Sequence, residues 1–123
     1  MVFYKGDIIW PIARTSDPRK LRHPAVVWED QTSGEEDFLG IMLTSSTPQS
    51  GYDNIPMQSN HFKLGMKISY KRSHFVNQVF IKFVSWGPFE KVGELTDEGK
   101  QYIEMYIPKD NAISFDDYLS NSN

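Results

Sequence analysis

The segment "FVNQVFIKFVSW", residues 75–86, is the longest stretch with the pattern of an extended strand. Successive side chains of an extended backbone point to opposite faces. Val76, Gln78, Phe80, Lys82 and Val84 therefore share one face, and Asn77, Val79, Ile81, Phe83 and Ser85 the other, which is the more apolar. A strand needs hydrogen-bonding neighbours, and the chain supplies several short apolar runs. "GDIIWPIA" is β-branched, and Pro11 marks it as an edge or bent strand, because proline cannot donate to a ladder. "PAVVWE" and "FLGIMLTS" flank "DQTSGEED", whose glycine, serine and acidic residues suit a hairpin, so these runs are expected to be antiparallel neighbours. Between Ser45 and Tyr70, prolines, glycines and asparagines are too frequent for long elements, leaving "NIPM" and "MKISY" as candidate brief strands.

The helix signal comes late. Thr96 is a candidate N-cap, Asp97 and Glu98 sit where the helix dipole favours anions, and Tyr102, Ile103, Tyr106 and Ile107 form an apolar stripe that Pro108 ends. Gly99 weakens the first turn by up to roughly 1 kcal/mol relative to alanine. "AISFDDYLS" is a candidate for a further helical turn, and the finish "LSNSN" for a loose end. Short strands followed by one helix predict a mainly β fold, a strongly twisted small barrel or curved sheet with the helix on one side. At 123 residues the chain supports one core and a single domain. Within it, residues 1–107 form the barrel and helix, and residues 108–123 an acidic tail.

The absence of cysteine excludes disulfides, thiolate metal sites and thiol catalysis. The opening "MVFYKGDIIW" has no charged-then-apolar leader and no apolar run reaches membrane-spanning length, so a cytoplasmic protein with no membrane partner is expected. The net charge of −3 hides an uneven distribution. Arg14, Arg19, Lys20 and Arg22 crowd one early segment and Lys63, Lys67, Lys71 and Arg72 a second, while acidic residues load the C-terminal part. One face is thereby suited to anions and another is not. No nucleotide-binding glycine signature is present, and His61 and His74, read as surface residues, lack the close pairing of a metal site. Trp10, Trp28 and Trp86 lie in apolar runs and read as core or dimer-interface residues.

Taken in order, "GDIIW", a basic loop, "HPAVVW", "GIMLTSS", "NQVFIKFVSW" and "VGELTDEGKQYIEMYI" resemble the MazF/PemK family of toxin ribonucleases from toxin–antitoxin modules, over about residues 5 to 107. The resemblance implies an SH3-like barrel with a C-terminal helix, a homodimer, and metal-independent cleavage of single-stranded RNA without a cofactor, restrained by a cognate antitoxin. The family usually has arginine directly before the proline of its "RPAVV"-like motif; here His23 stands there, with Arg22 one place earlier. Thr44, followed by Ser45, matches the family's hydroxyl pair, and Gln78 and Val79 its polar-plus-valine step, with Asn77 where an acidic residue is commoner.

Attack of a 2′-hydroxyl on the adjacent phosphorus needs a proton acceptor, a proton donor and a cation for the phosphate. His23 is suited to proton transfer, Arg22 to phosphate oxygens through its planar fork, and Thr44 to hydrogen-bonding the phosphate or orienting the 2′-hydroxyl. Adjacent strand residues face opposite ways, so either Arg22 or His23 faces the groove unless the backbone bulges there. Arg14, Ser45, Asn77, Gln78, Lys71 and Arg72 are the candidate substrate contacts, the last two beside Tyr70 and Phe75, which could stack a base. The alternatives are a barrel of this fold that binds protein or RNA without catalysis, or an unrelated β-domain with a structural role.

Overall fold

A computed structural model describes residues 2–11, 24–32, 37–44, 54–64, 74–82, 89–107 and 113–114. Seven strands and one helix follow in order: β1 (Asp7–Pro11), β2 (Ala25–Val27), β3 (Phe38–Thr44), β4 (Asn54–Pro56), a 3₁₀ turn (Ser59–His61), β5 (His74–Lys82), β6 (Phe89–Glu94), α1 (Asp97–Tyr106) and β7 (Ile113–Ser114). The fold is thus mainly β with a C-terminal helix. None of the described helices is long and apolar enough to cross a membrane.

The strands run β4-β5-β3-β2-β1-β6, with β7 on β5. All pairs on this path are antiparallel, and β7 alone joins in parallel, Phe80 opposite Ile113 and Ile81 opposite Ser114. The β2–β3 pair has the expected hairpin register, Ala25 opposite Met42 and Val27 opposite Gly40. Among the described residues the path is open rather than a closed barrel, with β4 and β6 at its ends. Those ends nevertheless meet: Phe62, just past β4 and the 3₁₀ turn, forms a β-bridge with Leu95, just past β6. Lys63 also donates its backbone N–H to the Glu94 carbonyl at 2.9 Å.

Three strands differ from what their local sequence suggests. Strand β1 is not an edge: it pairs with both β2 and β6. Of the two alternatives the bent strand fits: Pro11 is tolerated as the last residue of β1, and the irregularity is the register shift between Ile8 and Ile9. Ile113–Ser114, at the start of the segment expected to add a helical turn, is a short strand on β5, and residues 115–120 of that segment lie outside the described residues. Strand β6 was not signalled by "FEKVGE", in which Val92 is the one fully buried side chain. Its backbone pairing with β1, rather than an apolar alternation, makes it a strand. "MKISY" lies outside the described residues.

Both faces of the sheet are covered. Ile8, Val26, Ile41, Leu43, Phe75, Val79, Val92 and Leu95 form the main core with Ile103 of the helix. Phe3, Ile9, Val27 and Phe38 form a second cluster, where Phe38 meets Phe89 edge-on with ring centroids 5.5 Å apart. Burial on both faces explains why β5 departs from the simple reading of its alternation: Val76 and Phe80, on the face expected to be less apolar, are as buried as Phe75. Trp10 and Trp28 are half-buried against the main core.

The helix is capped as expected. The Thr96 hydroxyl oxygen accepts from the Gly99 N–H at 3.1 Å and donates its own proton to the Asn60 carbonyl at 2.8 Å. Tyr102 is half-buried and Ile103 fully buried, while Tyr106 is exposed. Gly99 has a role beyond propensity, because a Cβ there would lie 2.3 Å from the His61 carbonyl oxygen. Helix and 3₁₀ turn approach this closely because the glycine has no side chain. Gly99→Ala is therefore expected to destabilise the fold by about 1–3 kcal/mol, against the helix scale. Exposed Gln101→Ala should stay within about 0.5 kcal/mol of the parent, both read by urea unfolding.

Candidate functional site

Four strand ends gather at one end of the sheet. Pro24, buried at the start of β2, accepts from the Leu43 N–H at 3.0 Å, extending the β2–β3 ladder one step beyond Ala25 and Met42. The next residue, Thr44, ends β3 and stands opposite His74, the first residue of β5. His74 in turn stands opposite Pro56, the last residue of β4. Thr44, the proposed strand-end hydroxyl, is thus one residue from the Pro24 hydrogen bond and in register with a half-buried histidine.

Further along β5 the ladder is irregular. Ile41 pairs with Val79 and Leu43 with Phe75, so Met42 alone on β3 spans Val76, Asn77 and Gln78 on β5. Asn77 and Gln78 therefore lie in a bulge, a device that re-aims side chains beside sites. Gln78 is 6% exposed and its Nε2 donates to the Val79 carbonyl at 2.9 Å. Of Asn77 and Thr44 the backbone position is described. Arg14, Arg22, His23, Ser45, Lys71 and Arg72 lie outside the described residues, as does Trp86.

The opposite end of β2 and β3 has the other electrostatic character. A cavity of about 360 Å³ there is lined by Glu29, Asp30, Gln31, Thr32, Asp37, Phe38 and Leu39. Three carboxylates on its wall disfavour a polyanion. Asp30 already accepts the Lys5 backbone N–H at 2.7 Å, and Gln31 is tied to Phe3 in both directions. A further charged cluster is structural: Lys91 bridges buried Asp7 at 3.1 Å and Glu94 at 2.7 Å, and Lys63 also pairs with Glu94. The bond from Lys63, followed by that from Lys91, holds the Glu94 carboxyl below its usual range. The bond to Glu94 is the largest influence raising Lys91. Among the described residues, no three His, Asp or Glu side chains gather as metal ligands.

His61 is not the surface residue its polar surroundings suggested. It is buried, its ring stacks on Tyr102 with centroids 4.3 Å apart, and its Nδ1 accepts the Gln58 N–H at 3.0 Å. Its carbonyl accepts from the Thr96 N–H at 3.0 Å. The useful signal lay in spacing across the chain, a glycine in the first helical turn facing a histidine 38 residues earlier, which no local pattern reveals. Tyr102 donates its hydroxyl to the Pro56 carbonyl at 2.6 Å, tying the helix to the strand opposite His74. Burial pushes the Tyr102 phenol above its usual range, with the neighbouring Tyr106 adding to the shift.

Burial also pushes the His61 imidazole below its ordinary range, with nearby Glu98 opposing. The unfolded chain then binds a proton more readily than the folded one, so this contribution is present above about pH 6.5 and is lost as pH falls below it. The parent's melting temperature should drop between pH 7.5 and pH 5.5, and His61→Gln, though less stable overall, should show a smaller drop. Equal pH dependence in the two proteins would remove His61 as the cause.

Compared with known proteins, the chain matches no family model and no curated protein sequence.

Proposed function

We propose that the chain is a metal-independent endoribonuclease toxin of the MazF/PemK kind, with an SH3-like barrel, that cleaves single-stranded RNA by 2′-hydroxyl attack on the scissile phosphate. The observation that carries this reading is the hydrogen bond from Leu43 to Pro24. Thr44 directly follows the first of these residues and the Arg22–His23 pair directly precedes the second. The two sequence elements that supply a phosphate site are therefore linked by one backbone contact. The bulge at Asn77 and Gln78 on the neighbouring strand, and the meeting of the two sheet ends at Phe62 and Leu95, also agree with it.

In this mechanism an arginine at position 22 spreads its donors over the non-bridging phosphate oxygens, where charge accumulates as the fifth oxygen approaches phosphorus. Arg22 reaches the groove from the loop end, His23 at its edge is the candidate acceptor of the 2′-hydroxyl proton, and Thr44 holds the phosphate or orients the attacking hydroxyl. The products are a 2′,3′-cyclic phosphate and a 5′-hydroxyl. Arg14, Ser45, Asn77, Gln78, Lys71 and Arg72 contact the rest of the strand. The protein works in the cytoplasm as a homodimer, restrained by a cognate antitoxin.

Purified protein is expected to cut single-stranded RNA in EDTA, leaving cyclic phosphate ends, and Arg22→Ala and Thr44→Ala are each expected to cut at least about 10²-fold more slowly. Activity that requires a divalent ion, or that survives both substitutions, contradicts the mechanism. RNA or peptide binding with no turnover points instead to a barrel that serves as a binding module.

A further inference from the structure

We infer that the 3₁₀ turn and the first turn of α1 form an acid-sensitive latch, which opens when the His61 imidazole takes up a proton while the central strands stay paired. The inference does not depend on the nuclease reading. Gln58 and His61 hold each other by two hydrogen bonds. The His61 N–H donates to the Gln58 carbonyl, and the Gln58 N–H donates to the His61 Nδ1, each at 3.0 Å. An imidazole nitrogen that accepts a hydrogen bond carries no proton, so the neutral ring has its proton on Nε2. Protonation puts an N–H on Nδ1, aimed at the N–H of Gln58. Two donors then face each other at hydrogen-bond distance, and the Gln58 amide loses its acceptor. The ring is not free to turn aside in place, because it is buried and stacked on Tyr102, and the carbonyl of the same residue lies against Gly99.

Relief therefore requires the turn itself to move, and the turn is where the two ends of the sheet meet. The His61 carbonyl accepts the Thr96 N–H at 3.0 Å, the Glu94 carbonyl accepts the Lys63 N–H at 2.9 Å, and Phe62 bridges Leu95. None of these contacts belongs to the ladder that joins β1, β2, β3 and β5. Release at the seam leaves Ile8, Val26, Ile41 and Leu43 packed in the main core, which makes it a local opening rather than unfolding. The groups around the ring set its response. From α1 come Glu98, whose charge favours the imidazolium, and the Tyr102 phenol, while Asp97 and Lys100 of that helix pair with each other at 3.2 Å. Across the seam Glu94 is engaged by Lys63 and Lys91. Strand β4 carries no titratable side chain, and His74 of β5 stands opposite its last residue. Burial outweighs Glu98, so the folded ring binds a proton less readily than an exposed one; the closed latch belongs to neutral pH and the open latch to acid.

The test is amide hydrogen exchange read by NMR between pH 7.5 and 5.5, corrected for the intrinsic pH dependence of exchange, together with the ¹⁵N shifts of the His61 ring. The ring is expected to be neutral at pH 7.5 with its proton on Nε2. The amides of Gln58, Lys63 and Thr96 should open more readily than those of Trp28 and Leu43, which bond across β2 and β3. Their opening equilibrium should rise by up to about tenfold for each unit that pH falls below about 6.5, with the backbone shifts of β2 and β3 unchanged. His74→Gln should keep this response. His61→Gln, whose amide oxygen accepts a hydrogen bond at every pH, should lose it. Seam amides that open only together with Trp28 and Leu43, an opening that ignores pH, or a response that survives His61→Gln or vanishes in His74→Gln overturns the inference. A His61 ring with its proton on Nδ1 at pH 7.5 overturns it from the parent protein alone.

Discussion

The close approach of the His61 backbone to the first turn of α1 is the contact on which the rest of the arrangement depends. The His61 carbonyl accepts from Thr96 N–H and lies where a side chain on residue 99 would have to be. The chain on either side of this contact carries the Phe62–Leu95 bridge and the Lys63–Glu94 backbone bond, so the same few residues draw the two ends of the sheet together. The helix is then held over the core by Ile103 and pinned to β4 by the Tyr102 hydroxyl. Backbone groups make most of these bonds, and burying them unpaired would cost about 1–3 kcal/mol each. The contact is therefore specific in geometry as well as apolar.

Turning the sheet in this way separates its two ends chemically. At one end Pro24, just before β2, comes together with Thr44, His74 and Pro56, the terminal residues of β3, β5 and β4. At the other, Glu29, Asp30 and Asp37 line the described cavity and present negative charge. Those three carboxylates make that cavity unfavourable for a polyanion.

Much of the fold was legible because the relevant signals are local. Thr96, Asp97 and Glu98 announce the helix start through capping and dipole effects that operate within one turn. The apolar runs at residues 25–27 and 38–44 announce two strands, and the turn formers between them make antiparallel pairing the short route. What was missed has a common cause. β6 is polar in sequence, β7 is a two-residue strand in a polar tail, and Pro11 suggested an edge where β1 has neighbours on both sides. Each owes its state to a partner strand remote in sequence, and a residue's own pattern does not say whether such a partner is present.

The candidate site divides along the same line. Sequence determined its chemistry, because the residue types at Arg22, His23, Thr44 and Gln78 limit what any pocket built from them can do. Tertiary structure decided the neighbours: that Thr44 stands opposite His74, that Asn77 and Gln78 occupy a bulge, and that His61 belongs to the packing beneath the helix instead of to solvent. Register and burial are properties of pairs of segments, fixed when the backbone satisfies its hydrogen bonds across the sheet, so they emerge only when the chain is folded.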